Sequence, residues 1–222
     1  MSDYELMMNG SVKLGQKAPD FTANSTMGKI SLKNYLGKWV VLFSYTGDFS
    51  PVCTTEIIAF SRANTYFENE NTKLIGLSVD SNASHLAWLY DIYIKTGLTV
   101  PFPIIADRTS QIARQYGMFS QNENSEAAIR STFIIDEKGI VRAVFTYPEN
   151  IGRNISEILR VVNTLQIAEK EQIMVPANWM PYDPMIMMPP TNFKAVQERS
   201  NEIAKERNGM EWYICFKHPE NT

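Results

Sequence analysis

At 222 residues, with 44% hydrophobic residues and charge spread along its length, the chain is long enough for one full domain plus an appendage, and too apolar to be disordered. A net charge of −3 and a pI near 5.5 leave no footprint for nucleic acid or an anionic membrane surface, and no apolar run approaches a membrane span. Two cysteines are too few for a disulfide framework, and Met1-Ser2-Asp3-Tyr4-Glu5 lacks the basic and apolar regions of a signal peptide, so a cytoplasmic protein is expected.

Residues 11–32 read as short strands and turns, punctuated by Gly15, Pro19 and Gly28. Trp39-Val40-Val41-Leu42-Phe43 opens a strand over 39–45 that is buried on both faces. A turn-forming stretch follows, and then Ile57, Phe60 and Phe67 repeat at helical spacing, predicting a helix over 54–70 that begins near Cys53 or Thr54. Lys73 to Asp80 reads as a strand, and His85 to Lys95 as a helix with Leu86, Leu89, Tyr90 and Tyr93 on one face. Phe102 to Ala106 is a short strand, and Thr109 to Tyr116 a short helix closed by Gly117.

Segments 131–135 and 140–145 form a hairpin around Asp136-Glu137-Lys138-Gly139. Arg153 to Ala168 is an amphipathic helix with Ile155, Ile158, Leu159, Val162 and Leu165 buried. The alternation of strands and helices predicts an α/β domain with a largely parallel central sheet, closing near residue 170. Beyond it, residues 176–190 hold five prolines and four methionines, which excludes a regular helix and gives a segment too apolar to be a free linker. Those methionines suit a packing interface better than a metal. A charged helix over 192–207 and an apolar strand over 211–216 complete the chain.

The chemistry concentrates in Asp48-Phe49-Ser50-Pro51-Val52-Cys53-Thr54-Thr55-Glu56. Cys53 falls at the start of a helix, where unpaired amides and the positive end of the dipole favour a thiolate over a thiol of ordinary pKa about 8.5. The plain alternative is a small buried cysteine at a strand–helix junction. His85 and His218 lack metal-ligand spacing and read as solvated surface residues, and neither a metal nor an organic cofactor is called for.

This stretch resembles the active-site loop of peroxiredoxins, thioredoxin-fold enzymes whose cysteine reduces hydrogen peroxide and organic hydroperoxides. The family pattern is Pro-x-x-x-Thr/Ser-x-x-Cys. Ser50 and Cys53 match it, while Thr46 stands at the Pro position and adds an amide N–H, a hydroxyl and freedom of movement, predicting a loop that opens more easily and admits water. The resemblance covers nearly the whole chain and is closest to the long, 1-Cys-like branch with archaeal and bacterial members. It implies a thioredoxin-like sheet flanked by helices over 1–170 and a dimerisation arm over 171–222.

By the same resemblance, Cys53 is the nucleophile, Ser50 places the peroxide, and Arg130 stabilises the thiolate and the departing oxygen. Sequence alone does not separate Arg130 from Arg114 or Arg142. Glu56 reads either as a carboxylate that orients an arginine or as a first-turn Glu favoured by the dipole. Gly152-Arg153-Asn154 resembles the segment that opens a helix in this branch, and places Arg153 beside Glu56. Cys215, in Trp212-Tyr213-Ile214-Cys215-Phe216, reads either as a structural cysteine or, by resemblance to the tails of some long members, as the resolving cysteine of a neighbouring subunit.

The implied partners are a hydroperoxide substrate, a thiol reductant such as a thioredoxin-type protein, and further copies of the chain, as a homodimer or a decameric ring. A disulfide reductase needs a vicinal pair, and Cys53 is followed by Thr54, Thr55 and Glu56. Gly37-Lys38-Trp39-Val40-Val41 has no serine where some relatives carry a lipase-like motif, so no phospholipase activity is expected. A non-catalytic scaffold or holdase of the same fold stays open, and peroxide consumption separates it from an enzyme.

Overall fold

All six side chains of Trp39–Ser44 are buried, as the unbroken apolar run predicts, and the strand they form lies inside a seven-stranded sheet. A computed structural model describes residues 12–119, 127–206 and 209–219, in two compact units that divide in sequence after Ile155. In the first unit the strands are β1 (Thr22–Ser25), β2 (Gly28–Ser31), β3 (Trp39–Ser44), β4 (Thr72–Ser78), β5 (Ile104–Ala106), β6 (Arg130–Ile135) and β7 (Val141–Tyr147). Helices α1 (Pro51–Asn69), α2 (Asn82–Thr96) and α3 (Gln111–Gln115) connect them.

The sheet order is β2-β1-β5-β4-β3-β6-β7. Only β3 with β4 and β4 with β5 run parallel, so the expectation of a largely parallel sheet is corrected to a mixed one. For two of the four antiparallel pairs the cause is connection length. The hairpins β1–β2 and β6–β7 have no room for a crossover and can only pair antiparallel.

Alternate residues of β3 serve opposite faces of the sheet. Phe43 stacks on Phe60 of α1 at 4.2 Å between ring centroids, and Phe60 meets Phe67 and Phe102. Val40 and Leu42 join Ile75, Leu77, Ile105 and Phe133 on the other face, under Ile112, Ala113 and Tyr116. Truncating a core ring such as Phe60 to Ala costs about 3–5 kcal/mol.

Helix α2 turns a different face inward from the one its leucines and tyrosines suggest. His85, Trp88 and Ile92 are buried, Leu86, Tyr90 and Tyr93 are exposed, and Leu89 is half-buried. Two of these inward residues, His85 and Trp88, carry polar edges that find partners, which a hydrophobicity pattern does not register. Trp88 Nε1 donates to Thr54 Oγ1 at 3.3 Å, and both ring nitrogens of His85 are bonded. His85 is therefore a buried residue, contrary to the solvated reading, whereas His218 is exposed.

Helix α4 (Ile155–Glu171) starts at the last residue of the first unit and otherwise belongs to the second. Its Ile155, Ile158 and Val162 are buried, with Leu159 and Leu165 half-buried. The second unit also has β8 (Ile173–Met174), β9 (Met185–Met187), α5 (Phe193–Glu206), β10 (Gly209–Glu211) and β11 (Ile214–Lys217). A four-stranded sheet runs β10-β11-β9-β8, and Ile173, Trp179 and Met185 form a small core. The proline-rich stretch is held by its own bonds, among them Trp179 Nε1 to the Asp183 carbonyl at 2.9 Å. The single terminal strand expected over 211–216 is instead a hairpin, turning at Trp212 and Tyr213.

Candidate active site

The sheet brings the site together. Phe43 of β3 pairs with Thr132 of antiparallel β6, so the end of β3 lies beside the start of β6, where Arg130 stands. Seven residues past the end of β3, Pro51 begins α1 as its first helical residue, which suits a ring that lacks an N–H and fixes φ. Phe49 bends the chain through the left-handed region at φ 59°, an uncommon conformation for an aromatic residue. Cys53 therefore sits in the first turn of the helix, slightly deeper than the predicted start, and is fully buried.

Ser50 occupies the N-cap but makes no capping bond with its hydroxyl. Its carbonyl receives the Thr54 amide at 2.9 Å and the Thr54 hydroxyl at 2.8 Å, while its hydroxyl is near enough to the Cys53 sulfur to favour the thiolate. Three further groups surround that sulfur: Thr46 Oγ1 at 3.3 Å, the backbone amide of Gly47, and Arg130 Nη1 at 3.2 Å. Burial pushes the Cys53 thiol up, but the hydrogen bonds from Ser50, Thr46, Gly47 and Arg130 outweigh it, and the thiol lies below its ordinary value. Thr46, which departs from the family pattern, thus supplies a polar contact that a proline cannot make.

Arg130 is held on three sides. Its Nε donates to the Glu149 carbonyl at 2.9 Å, and Nη1 is shared between Cys53 Sγ and Glu56 Oε2, the latter at 2.9 Å. Glu56 in turn receives Arg153, through its amide and Nε on Oε1, both at 2.8 Å, and through Nη2 on Oε2 at 2.6 Å. Arg153 Nη1 donates to the carbonyls of Ser44 and Ser131 and to Thr132 Oγ1, and its guanidinium lies over the Phe43 and Phe60 rings. Desolvation raises the Glu56 carboxyl, but Arg153 and then Arg130 hold it below the usual carboxylate range. The structure brings Cys53, Ser50, Thr46, Glu56, Arg130 and Arg153 together. Arg142 instead pairs with Asp136 at 3.1 Å, and Arg114 lies over the Phe119 ring.

An open cleft of about 450 Å³ leads to this cluster, lined by Ser50, Pro51, Val52, Arg130, Pro148, Glu149 and Asn150. Its lining mixes the apolar Pro51, Val52 and Pro148 with the polar Ser50 and Asn150 and the charged Arg130 and Glu149, which suits a small polar head with room for an organic substituent. Sequence reasoning missed the support behind the arginines, from Ser44, Ser131 and Thr132, because those contacts join residues far apart in the chain. It also missed the pairing of Asp48 with His85. Among the described residues, no group of three His, Cys, Asp or Glu side chains is placed to hold a metal. Cys215 lies in the second unit, buried on β11, with Sγ 3.7 Å from the Glu211 carbonyl and close over Gly209.

Residues 14–144 match the AhpC/TSA family, and residues 164–201 match the C-terminal domain of 1-Cys peroxiredoxin. The chain belongs to the peroxiredoxin family. It is similar to "Peroxiredoxin 2" of Caldanaerobacter subterraneus subsp. tengcongensis, with 51% identity over 92% of each chain. It is also similar to a peroxiredoxin of Thermoplasma volcanium, with 47% identity over 92% of this chain and 98% of the relative. Among solved structures, a yeast mitochondrial 1-Cys peroxiredoxin superposes with a TM-score of 0.80 at 40% identity, covering 94% of this chain and all of the other. Peroxiredoxin 6 of Arenicola marina gives 0.82 at 33%, covering 95% of this chain and all of the other. This peroxiredoxin is a thiol-dependent peroxidase of thioredoxin fold, acting on hydroperoxides at the expense of a thiol reductant. Among the described residues, no helix is long and apolar enough to cross a membrane.

Proposed function

We propose that Cys53 is the peroxide-reactive cysteine, reducing hydrogen peroxide and organic hydroperoxides. The observation that carries this reading is the convergence of Ser50, Thr46, Gly47 and Arg130 on one buried sulfur at a helix start. The thiolate attacks the terminal oxygen of R–O–O–H. The S–O bond forms as the O–O bond breaks, the sulfur is oxidised to a sulfenic acid that keeps the terminal hydrogen, and the departing RO⁻ takes a proton to become water or alcohol. Ser50 both donates and accepts, and so places the peroxide. Arg130 stabilises charge on the sulfur before the transition state and on the departing oxygen within it. Glu56 and Arg153 hold that guanidinium in place. Rapid-mixing peroxide titration tests the reading: wild type consumes hydroperoxide quickly and Cys53→Ser does not, whereas equal consumption by both would overturn it. A scaffold or holdase would show no consumption in either.

For turnover we propose that Cys215 of a neighbouring subunit condenses with the Cys53 sulfenic acid, releasing water and leaving an intersubunit disulfide. Both cysteines are free thiols. Cys215 is covered within its hairpin, so β10 must part from β11 before the thiol can react. A thioredoxin-type protein then reduces the disulfide, a reading supported by the yeast relative, whose structure concerns glutathione and thioredoxin systems. Residues 1–170 act as the peroxidase domain and 171–222 as a dimerisation arm, with a decameric ring as the larger assembly. In support, the arm exposes Tyr182, Met188, Phe193, Met210 and Tyr213, more apolar surface than a solvated appendage needs. The two free thiols suit a reducing cytoplasm.

A further inference from the structure

Behind the Cys53 loop lies a buried polar cluster that touches neither the sulfur nor the cleft. The Asp48 carboxylate and the His85 ring are 2% and 0% exposed, with Nδ1 at 2.9 Å from both carboxylate oxygens. Tyr45, also buried, donates its hydroxyl to Asp48 Oδ1 at 2.8 Å. On the far side of the ring, His85 Nε2 lies 3.2 Å from the Ile105 carbonyl. A second carboxylate secures the backbone: Asp80 Oδ2 receives the Asp48 amide at 2.9 Å and the Ser78 hydroxyl at 2.9 Å. The Tyr45 amide is fixed to the Leu77 carbonyl at 3.0 Å.

A buried pair of this kind is weak evidence for stability, because apolar residues of similar volume often do as well. What distinguishes it here is the segment it grips. Tyr45 and Asp48 flank Thr46 and Gly47, the two residues that bring a hydroxyl and an amide to the Cys53 sulfur. The next residue, Phe49, is exposed and has left-handed backbone, so the loop would relax without an anchor.

We propose that Tyr45, Asp48 and His85 are positioning residues for peroxide reduction, clamping the loop so that the Thr46 hydroxyl and the Gly47 amide stay on the Cys53 sulfur. The clamp rests on Cys53 being the peroxide-reactive thiol. Titration of the thiolate needs no peroxide, so failure of the clamp and failure of that reading are seen separately.

The test uses the full chain with Cys215→Ser, comparing His85→Leu, His85→Asn and Asp48→Asn. Ultraviolet absorbance follows ionisation of Cys53, and rapid mixing gives the rate constant with hydrogen peroxide. In His85→Leu and Asp48→Asn the ionisation moves up, and the rate at neutral pH falls about tenfold, the effect of losing one hydrogen bond to an ionised group. His85→Asn places an amide where Nδ1 donated and restores most of the rate, although it fills the core less well than Leu. A merely structural role would order the two His85 variants the other way. Wild-type ionisation and rate in His85→Leu and Asp48→Asn, or an Asn variant no better than Leu, would overturn the proposal. Should these variants not fold, Tyr45→Phe decides through the loss of a single hydroxyl: a slower reaction with raised ionisation supports the clamp, and wild-type behaviour overturns it.

Discussion

Glu56→Gln separates the charge of this site from its geometry. The carboxylate is buried, with both arginines on Oε2 and the Arg153 amide and Nε on Oε1. Whichever way the new amide turns, its NH₂ faces two donors at contacts that now measure 2.6–2.9 Å. Both guanidiniums keep their charge, so breaking the buried network costs about 3–5 kcal/mol of stability. With a urea m-value of about 2–3 kcal/mol/M, the unfolding midpoint falls by roughly 1–2 M.

Two effects compete at the sulfur. Glu56 and Cys53 share Arg130 Nη1, which puts their charges on the order of 5 Å apart, and removing one relieves about 3 kcal/mol of repulsion at an effective dielectric of 20. That favours the thiolate. Against it, Arg130 loses the carboxylate that aims it, and a misdirected charge-assisted hydrogen bond in the transition state forfeits about 1.5–3 kcal/mol, or roughly 10–100-fold in rate. The expected outcome is a Cys53 thiol no more basic than in wild type together with a reaction at least tenfold slower. Urea unfolding followed by circular dichroism, thiolate absorbance and stopped-flow peroxide consumption measure the three quantities. A variant with wild-type rate and wild-type midpoint would refute the reasoning.

Thr46→Val removes the hydroxyl 3.3 Å from the sulfur and keeps the side-chain volume, so Cys53 should ionise at higher pH and react several-fold more slowly at neutral pH, as checked by thiolate titration and rapid mixing. Because the Cys53 thiol is lowered, the wild-type rate should reach its plateau below the pH at which a free thiol ionises, about 8.5, and fall tenfold per unit beneath the lowered value; a profile still rising through pH 9 would contradict this. Glu56 is also held low, so its contribution to stability is complete above the ordinary carboxyl pKa of about 4.3 and is lost as pH falls through the lowered folded value. Acid unfolding should therefore be steeper in wild type than in Glu56→Gln over that range. One equivalent of peroxide should give a dimer on a non-reducing denaturing gel that disappears in Cys53→Ser and in Cys215→Ser; a monomer carrying only sulfenic or sulfinic Cys53 would leave Cys215 a structural residue.

Local chemistry was legible in the sequence where neighbours along the chain determine it. The apolar run of β3, a helix starting within three residues of its expected place near Cys53 or Thr54, and the spacing of Ser50 to Cys53 all reduce to local pattern. The arginines show the limit. Arg130 differs from Arg142 and Arg114 only in what the sheet register sets beside it, and that register is a long-range property. His85 shows a second limit. A histidine among helix residues reads as solvated until Asp48, 37 positions earlier, is placed against its ring. Leu86 and Tyr90 misled for the opposite reason, since large apolar side chains are often left on the surface, while His85 and Trp88 on the adjoining face find polar partners. The hairpin in place of one terminal strand followed from a two-residue turn at Trp212-Tyr213, which contains none of the usual turn residues.

The central claim is that Cys53 becomes a sulfenic acid, and the most direct measurement traps that product. Wild type and Cys53→Ser are mixed with one equivalent of hydrogen peroxide in the presence of a sulfenic-acid-selective dione, digested, and analysed by peptide mass spectrometry. The adduct should fall on the peptide containing Cys53 within the time of peroxide loss, and should be absent, together with that loss, in the Ser variant. An adduct confined to Cys215, or peroxide loss at the wild-type rate in Cys53→Ser, would contradict the assignment.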